Sequence, residues 1–260
     1  MREAHLINGM LTNFEIWYGL KENEISELEE VDKLLLRRIL GAPDSACIES
    51  LYLELGVTPI HVTLKARRVN YLHYLATLDE DNMLHKVFST QWKYPVKDDW
   101  TLKVRENLKE LDISLSLEEI KKKSDYSFKR LVKIKAEEFT LNYLLRLKEK
   151  HTKMEKLEYI ELKLQKYLKD DKIPVEEAKN LYRYRTRSAR YKENMKTSYQ
   201  ATPCPFCFVQ LDTQLHSVQC TVVKSKVKIE GNYEDIFQED IPCDISRTLL
   251  RITQLREDVI

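Results

Sequence analysis

Four residues near the C-terminus have the types and spacing of a metal site. Cys204, Cys207, His216 and Cys220 read C-x2-C-x8-H-x3-C. Zinc takes about four soft or borderline ligands in a tetrahedron, and two cysteines separated by two residues chelate from one tight turn. Thr213 is placed to cap a short helix on which His216 and Cys220 share a face. Four protein ligands leave no position open for water or substrate, so the expected zinc is structural. Three thiolates, a neutral imidazole and Zn2+ sum to about −1, so the centre does not itself attract phosphate. The segment is too short to build a core from Phe206, Phe208, Val209, Leu211 and Leu215 alone, and metal must close it. The alternative, ordinary buried thiols beside a surface histidine, fits the paired spacing less well. Cys47 and Cys243 have no such partners and read as packing residues. Five cysteines, three of them crowded together, do not make a disulfide framework.

A second set of residues could bind phosphate. Lys179, Arg183, Arg185, Arg187, Arg190, Lys192 and Lys196 crowd into one segment, interleaved with Tyr182, Tyr184, Tyr191 and Tyr199 and opposed there by Glu193. Arginine grips phosphate as a planar fork, and tyrosine offers a stacking face. The combination suits single-stranded or irregular RNA better than reading a duplex groove. The alternative is a solvated helix with Leu181 and Tyr182 packed inward. Lys65, Arg67, Arg68 and His73 make a weaker candidate face, and Lys224, Lys226 and Lys228 flank the cysteine module. Lys121, Lys122 and Lys123 read as solvated surface. No phosphate-cradling glycine motif, nucleophile elbow or H-E-x-x-H is present, and no aspartate pair is set for two-metal chemistry. No enzyme is expected.

The elements that must position these groups are helices. Of 260 residues, 33% are charged and 43% apolar, and only 5 glycines and 7 prolines interrupt them. The net charge of +1 means that any polyanion must be met by a local patch. No stretch approaches the roughly 18 uncharged apolar residues that span a bilayer, and no signal-peptide run opens the chain, so an intracellular chain is expected. Periodicity predicts helices over residues 5–18 (stopped by Gly19), 22–40 (stopped by Gly41 and Pro43) and 45–55 (capped by Ser45, closed by Gly56). A further helix runs from Thr58-Pro59 to about 77. Later starts are read at Asp98 or Asp99, Ser114 or Ser116, and Ser124 with Asp125. Helix is also read over 157–168, and a basic helix from Pro174 to about 198.

Several runs then resemble the region downstream of the polymerase core in LINE-type (non-LTR) retrotransposon reverse transcriptases. They are Leu6-Ile7-Asn8-Gly9 through Trp17, Leu36-Arg37-Arg38-Ile39-Leu40-Gly41, Leu51 through Gly56, and Arg67 through Tyr74. Arg185-Thr186-Arg187, the cysteine module and Tyr233 through Phe237 continue the match. Divisions near 170–174 and 201–203, read along the chain, together with the resemblance give a helical thumb-like domain (1–95), a helical linker region (96–172), a basic helix (173–200), a CCHC zinc module (201–228) and a helical tail (229–260). The resemblance implies the thumb role of the first and nucleic-acid binding by the later helices and module. It makes Lys65, Arg67 and Arg68 thumb contacts to a template–primer hybrid. Fingers and palm, with their catalytic aspartates, are missing, and Lys21 stands where a Ser or Thr cap is expected. The expectation is therefore an all-α, non-catalytic fragment that binds RNA or an RNA–DNA hybrid, its parent protein supplying the palm and fingers. The alternative is a protein-interaction scaffold built on the acidic helix over 22–32.

Overall fold

The computed structural model describes residues 2, 7–16, 21–195 and 202–259. The protein is all-α, with 64% helix and 1% strand, and no sheet among the described residues. Among the described residues the helices are α1 (Asn8–Met10), α2 (Glu22–Leu40), α3 (Ile48–Leu55), α4 (Ile60–Thr77), α5 (Met83–Lys93) and α6 (Trp100–Glu110). There follow α7 (Leu117–Lys122), α8 (Asp125–Lys148), α9 (Val175–Arg185), α10 (Gln214–Gln219), α11 (Thr221–Lys226) and α12 (Cys243–Glu257). None of these is long and apolar enough to cross a membrane. The chain sorts into two compact units, Met1–Asp32 with Thr58–Tyr143, and Lys33–Val57 with Leu144–Ile260. These units cut across the consecutive divisions read from the sequence, because α2 and α8 each contribute residues to both.

In the first unit, buried Val69, Leu72, Leu75, Phe88, Val104, Leu108, Ile120, Phe128 and Val132 share one core. A smaller cluster joins Ile7, Leu11, Ile60 and Leu64. Caps define the helix starts: Asn82 for α5, Asp99 for α6, and Ser116 with Glu119 as a reciprocal capping box for α7. At Lys21 the backbone N–H donates to the Glu24 carboxylate at 2.8 Å, supplying half a capping box without the expected Ser or Thr. Asp32, in the acidic run, is buried and receives a bidentate grip from Arg2 at 2.6 Å. The single helix expected over 5–18 is instead the short α1, then Asn13 at φ 61° and a 3-10 turn over Phe14–Ile16. Trp17 and Gly19 lie outside the described residues.

The second unit is organised by α9 packed against α12. Tyr182, Tyr184 and Tyr191 are fully buried there, with Leu181, Ile236, Leu249 and Ile252. Ser45 does not cap α3; Cys47 occupies that position without a side-chain bond. Gly56 ends α3 at φ 61°, and a Cβ there would lie 2.0 Å from the backbone carbon of Lys163. That approach explains why 157–168 is not the expected helix. The Gln165 N–H donates to the Glu54 carbonyl at 3.0 Å, drawing the chain out across Gly56. Only a 3-10 turn over Lys166–Leu168 remains, while Leu157 and Tyr159 are buried and Ile160 is 91% exposed. The basic helix also stops early: α9 ends at Arg185, and Arg187 takes φ 47°.

Candidate metal centre and its cationic neighbours

The cysteine turn is built by its own backbone. Cys204 N–H donates to the Gln210 carbonyl at 2.7 Å, and Phe208 N–H returns to the Cys204 carbonyl at 2.9 Å. A bridge between Pro203 and Leu211 closes the base of the turn. Phe208 reverses the chain at φ 56°, a left-handed conformation that favours glycine. Opposite, the Thr213 hydroxyl accepts from the His216 N–H at 3.0 Å, as the spacing predicts, and starts α10. Cys220 N–H donates to the His216 carbonyl at 2.7 Å, which brings the two side chains to one face.

The four side chains converge so that their ligand atoms lie within 4.8 Å of one another, and they could hold a metal ion. Tetrahedral bonds of about 2.3 Å to sulfur separate ligand atoms by roughly 3.8 Å, so only a slight contraction is required. Cys207 Sγ faces His216 Nε2 at 3.3 Å. Backbone hydrogen bonds from Gln210, then Val209, favour the Cys207 thiolate and hold its pKa down to about 6. Burial pushes the Cys204 thiol up instead. Among the described residues His216 Nδ1 is buried without a hydrogen-bond partner.

The module is pinned to the second unit by contacts the sequence reading missed. Arg256 on α12 grips Asp212 with two hydrogen bonds, 2.7 and 3.0 Å, and lies over the Tyr191 ring. Tyr191 donates to Ser217 Oγ at 2.9 Å, directly beside the candidate ligand His216. Arg256 continues the buried stripe Ile245, Leu249, Ile252 of its helix. An arginine in an apolar register was the available signal.

The same register argument corrects several of the predicted phosphate contacts. Arg68 continues the α4 stripe of Leu64 and Leu72 and is 3% exposed, with desolvation lowering its pKa. Arg67 donates to the Leu11 carbonyl and Asn8 Oδ1, and Lys65 pairs with Glu110 at 2.9 Å, so both already have partners within the first unit. His73 is buried against Phe128. Arg185 continues the α9 stripe of Ala178 and Leu181 and is also 3% exposed. It donates to Glu54 Oε1 at 3.3 Å and to the carbonyls of Ile236 and Gln238. Tyr182, Tyr184 and Tyr191 are core residues rather than stacking platforms. Lys196 and Tyr199 lie outside the described residues.

The remaining cations form a second stripe. Lys179, Arg183 and Arg187 are half-buried at four-residue spacing. Lys179 pairs with Glu176 at 2.8 Å. Arg183 donates Nε to the Gly41 carbonyl at the end of α2, leaving its two Nη groups without acceptors among the described residues. The Arg187 guanidinium likewise has no acceptor there. Arg190 and Lys192 are exposed beside the Asp212–Arg256 seam, their backbones bonded to Arg256 and Asp212. No protein-family model, curated protein or solved structure matches the chain.

Proposed function

We propose that the chain is a non-catalytic nucleic-acid-binding protein in which a structural zinc clamps the cysteine module. Lys179, Arg183, Arg187, Arg190 and Lys192 meet the phosphates of RNA or an RNA–DNA hybrid. The observation that carries this reading is the pair of Arg183, near the end of α9 and fixed to the Gly41 carbonyl, and Arg187, just beyond that helix, whose guanidinium groups lack a full set of acceptors among the described residues. Arginine forks in that state are suited to a phosphate oxygen, which accepts from two N–H groups at once. Three thiolates and an imidazole favour zinc over harder cations such as Mg2+ or Ca2+. Zinc, when bound, cross-links the turn at Cys204 and Cys207 to the helix of His216 and Cys220. Through Ser217 and Asp212 this fastening reaches Tyr191 and Arg256, and so the backbone that carries Arg190 and Lys192. The resemblance to the C-terminal region of LINE-type reverse transcriptases supports the same reading.

The test is fluorescence anisotropy of the zinc-loaded chain with a structured RNA, paired with metal analysis of the purified protein. One zinc per chain is expected, and Arg183→Glu with Arg187→Glu should weaken binding about 100-fold or more, two charge-assisted contacts being lost. Reversal of Lys121 and Lys122 should change it little. Equal effects of the two pairs would refute the assignment of the stripe.

A further inference from the structure

The second unit contains a cleft of about 910 Å³ that the sequence reading did not anticipate. The last turn of α2 and the loop into α3 form one wall, with Arg37; Lys150, His151 and Lys153 form another, and Arg187 lies at its margin. Arg37 is fixed by hydrogen bonds to the Pro43 and Ala46 carbonyls, and Lys153 reaches the Ser45 carbonyl. Four Lys and Arg side chains, with His151, thus line the cleft against the carboxylates of Asp44, Glu49 and Glu193. Of these, Glu193 already accepts from the Gln214 N–H.

Glu49 is the group without an explanation. It is 9% exposed, lines the cleft, and its Oε2 is buried with no hydrogen-bond partner. His151 Nε2 stands 3.4 Å from that oxygen without making that bond. A buried carboxylate oxygen lacking a donor costs about 1–3 kcal/mol or more, so the position favours a ligand that brings a donor. The surrounding cations favour one that also brings negative charge. A ribonucleotide carries both, because its 2′-hydroxyl is a donor that DNA lacks, next to the backbone phosphate.

We propose that this cleft holds one ribonucleotide of a bound RNA strand, with Glu49 accepting from the ribose 2′-hydroxyl and Arg187 and Lys150 meeting the phosphate. The assignment rests on the nucleic-acid reading above and gives it a preference for RNA over DNA. A hydrogen bond to a charged acceptor discriminates by about tenfold or more. The experiment measures anisotropy of the zinc-loaded full chain with three labelled single strands of one sequence: RNA, DNA and 2′-O-methyl RNA. RNA should bind about tenfold tighter than the other two, and Glu49→Ala, which removes the acceptor, should bring RNA and DNA to the same affinity. The wild-type comparison of the three strands stands whether or not the variant folds. Equal wild-type affinity for RNA and DNA would overturn the ribose assignment and leave the phosphate stripe intact. Absence of binding to all three would overturn both.

Discussion

Arg185 and Arg187 sit two residues apart in the same basic run, yet physics separates them completely. Arg185 falls in the buried register of α9 and neutralises Glu54, itself fully buried. Arg187 falls outside that register and keeps its guanidinium free of protein acceptors among the described residues. Arg185→Ala strands a buried carboxylate and should cost about 3–5 kcal/mol, read as a shift in denaturant midpoint. Arg187→Ala should stay within about 0.5 kcal/mol by the same measurement. A similar loss in both would mean that the register assignment is wrong. Phe208 offers a change in the opposite direction. At φ 56° and 73% exposed, it carries left-handed strain for little burial. Phe208→Gly should remove about 1 kcal/mol of strain from the folded turn and tighten zinc, as chelator competition would show; weaker zinc binding would contradict this. At this scale the convergence of Cys204, Cys207, His216 and Cys220 was legible because the spacing of such a group is set by bond geometry, which is local. The buried arginines were misread because type outweighed register: Arg68 and Arg185 each stand four residues from a leucine of the buried stripe.

Most helix starts were legible, since Asp99, Ser116 and Thr213 cap by short-range bonds the sequence displays. The segment 157–168 was not, because its extended course is imposed by a distant hydrogen bond to Glu54 and by the bare face of Gly56. Alternation of buried Leu157 and Tyr159 with exposed Glu158 and Ile160 was the weak clue. Gly56→Ala adds both left-handed strain and a collision with the Lys163 backbone, and should destabilise by roughly 3 kcal/mol or more. Circular-dichroism melts of the variant check this; an unchanged midpoint would show that the close approach does not hold in solution. The early end of α9 was hidden for a different reason. No Gly or Pro follows Arg185 as a stop signal, and the chain turns where Arg187 adopts a left-handed conformation just past α9.

For the molecule as a whole, the pairing of residues 33–57 with 144–260 in one unit could not be read from composition, since α2 and α8 show no break where the units divide. It gives metal removal a defined reach. Chelation should raise amide exchange in 202–227 and, through Asp212–Arg256, in the last turns of α12, while α4 to α7 in the first unit keep their protection. Uniform loss across both units would contradict that reach. With an overall charge of +1, the proposed RNA binding must come from the stripe rather than from a general field. The dependence of RNA affinity on salt tests this most directly, because each phosphate neutralised on a single strand contributes about −0.7 to the slope of log K against log salt. Neutralising Lys179, Arg183 and Arg187 together should make that slope shallower by about 2 while melting temperature falls only slightly, through loss of the Arg183–Gly41 hydrogen bond. A slope indifferent to the three substitutions, or tight RNA binding indifferent to salt, would contradict the account.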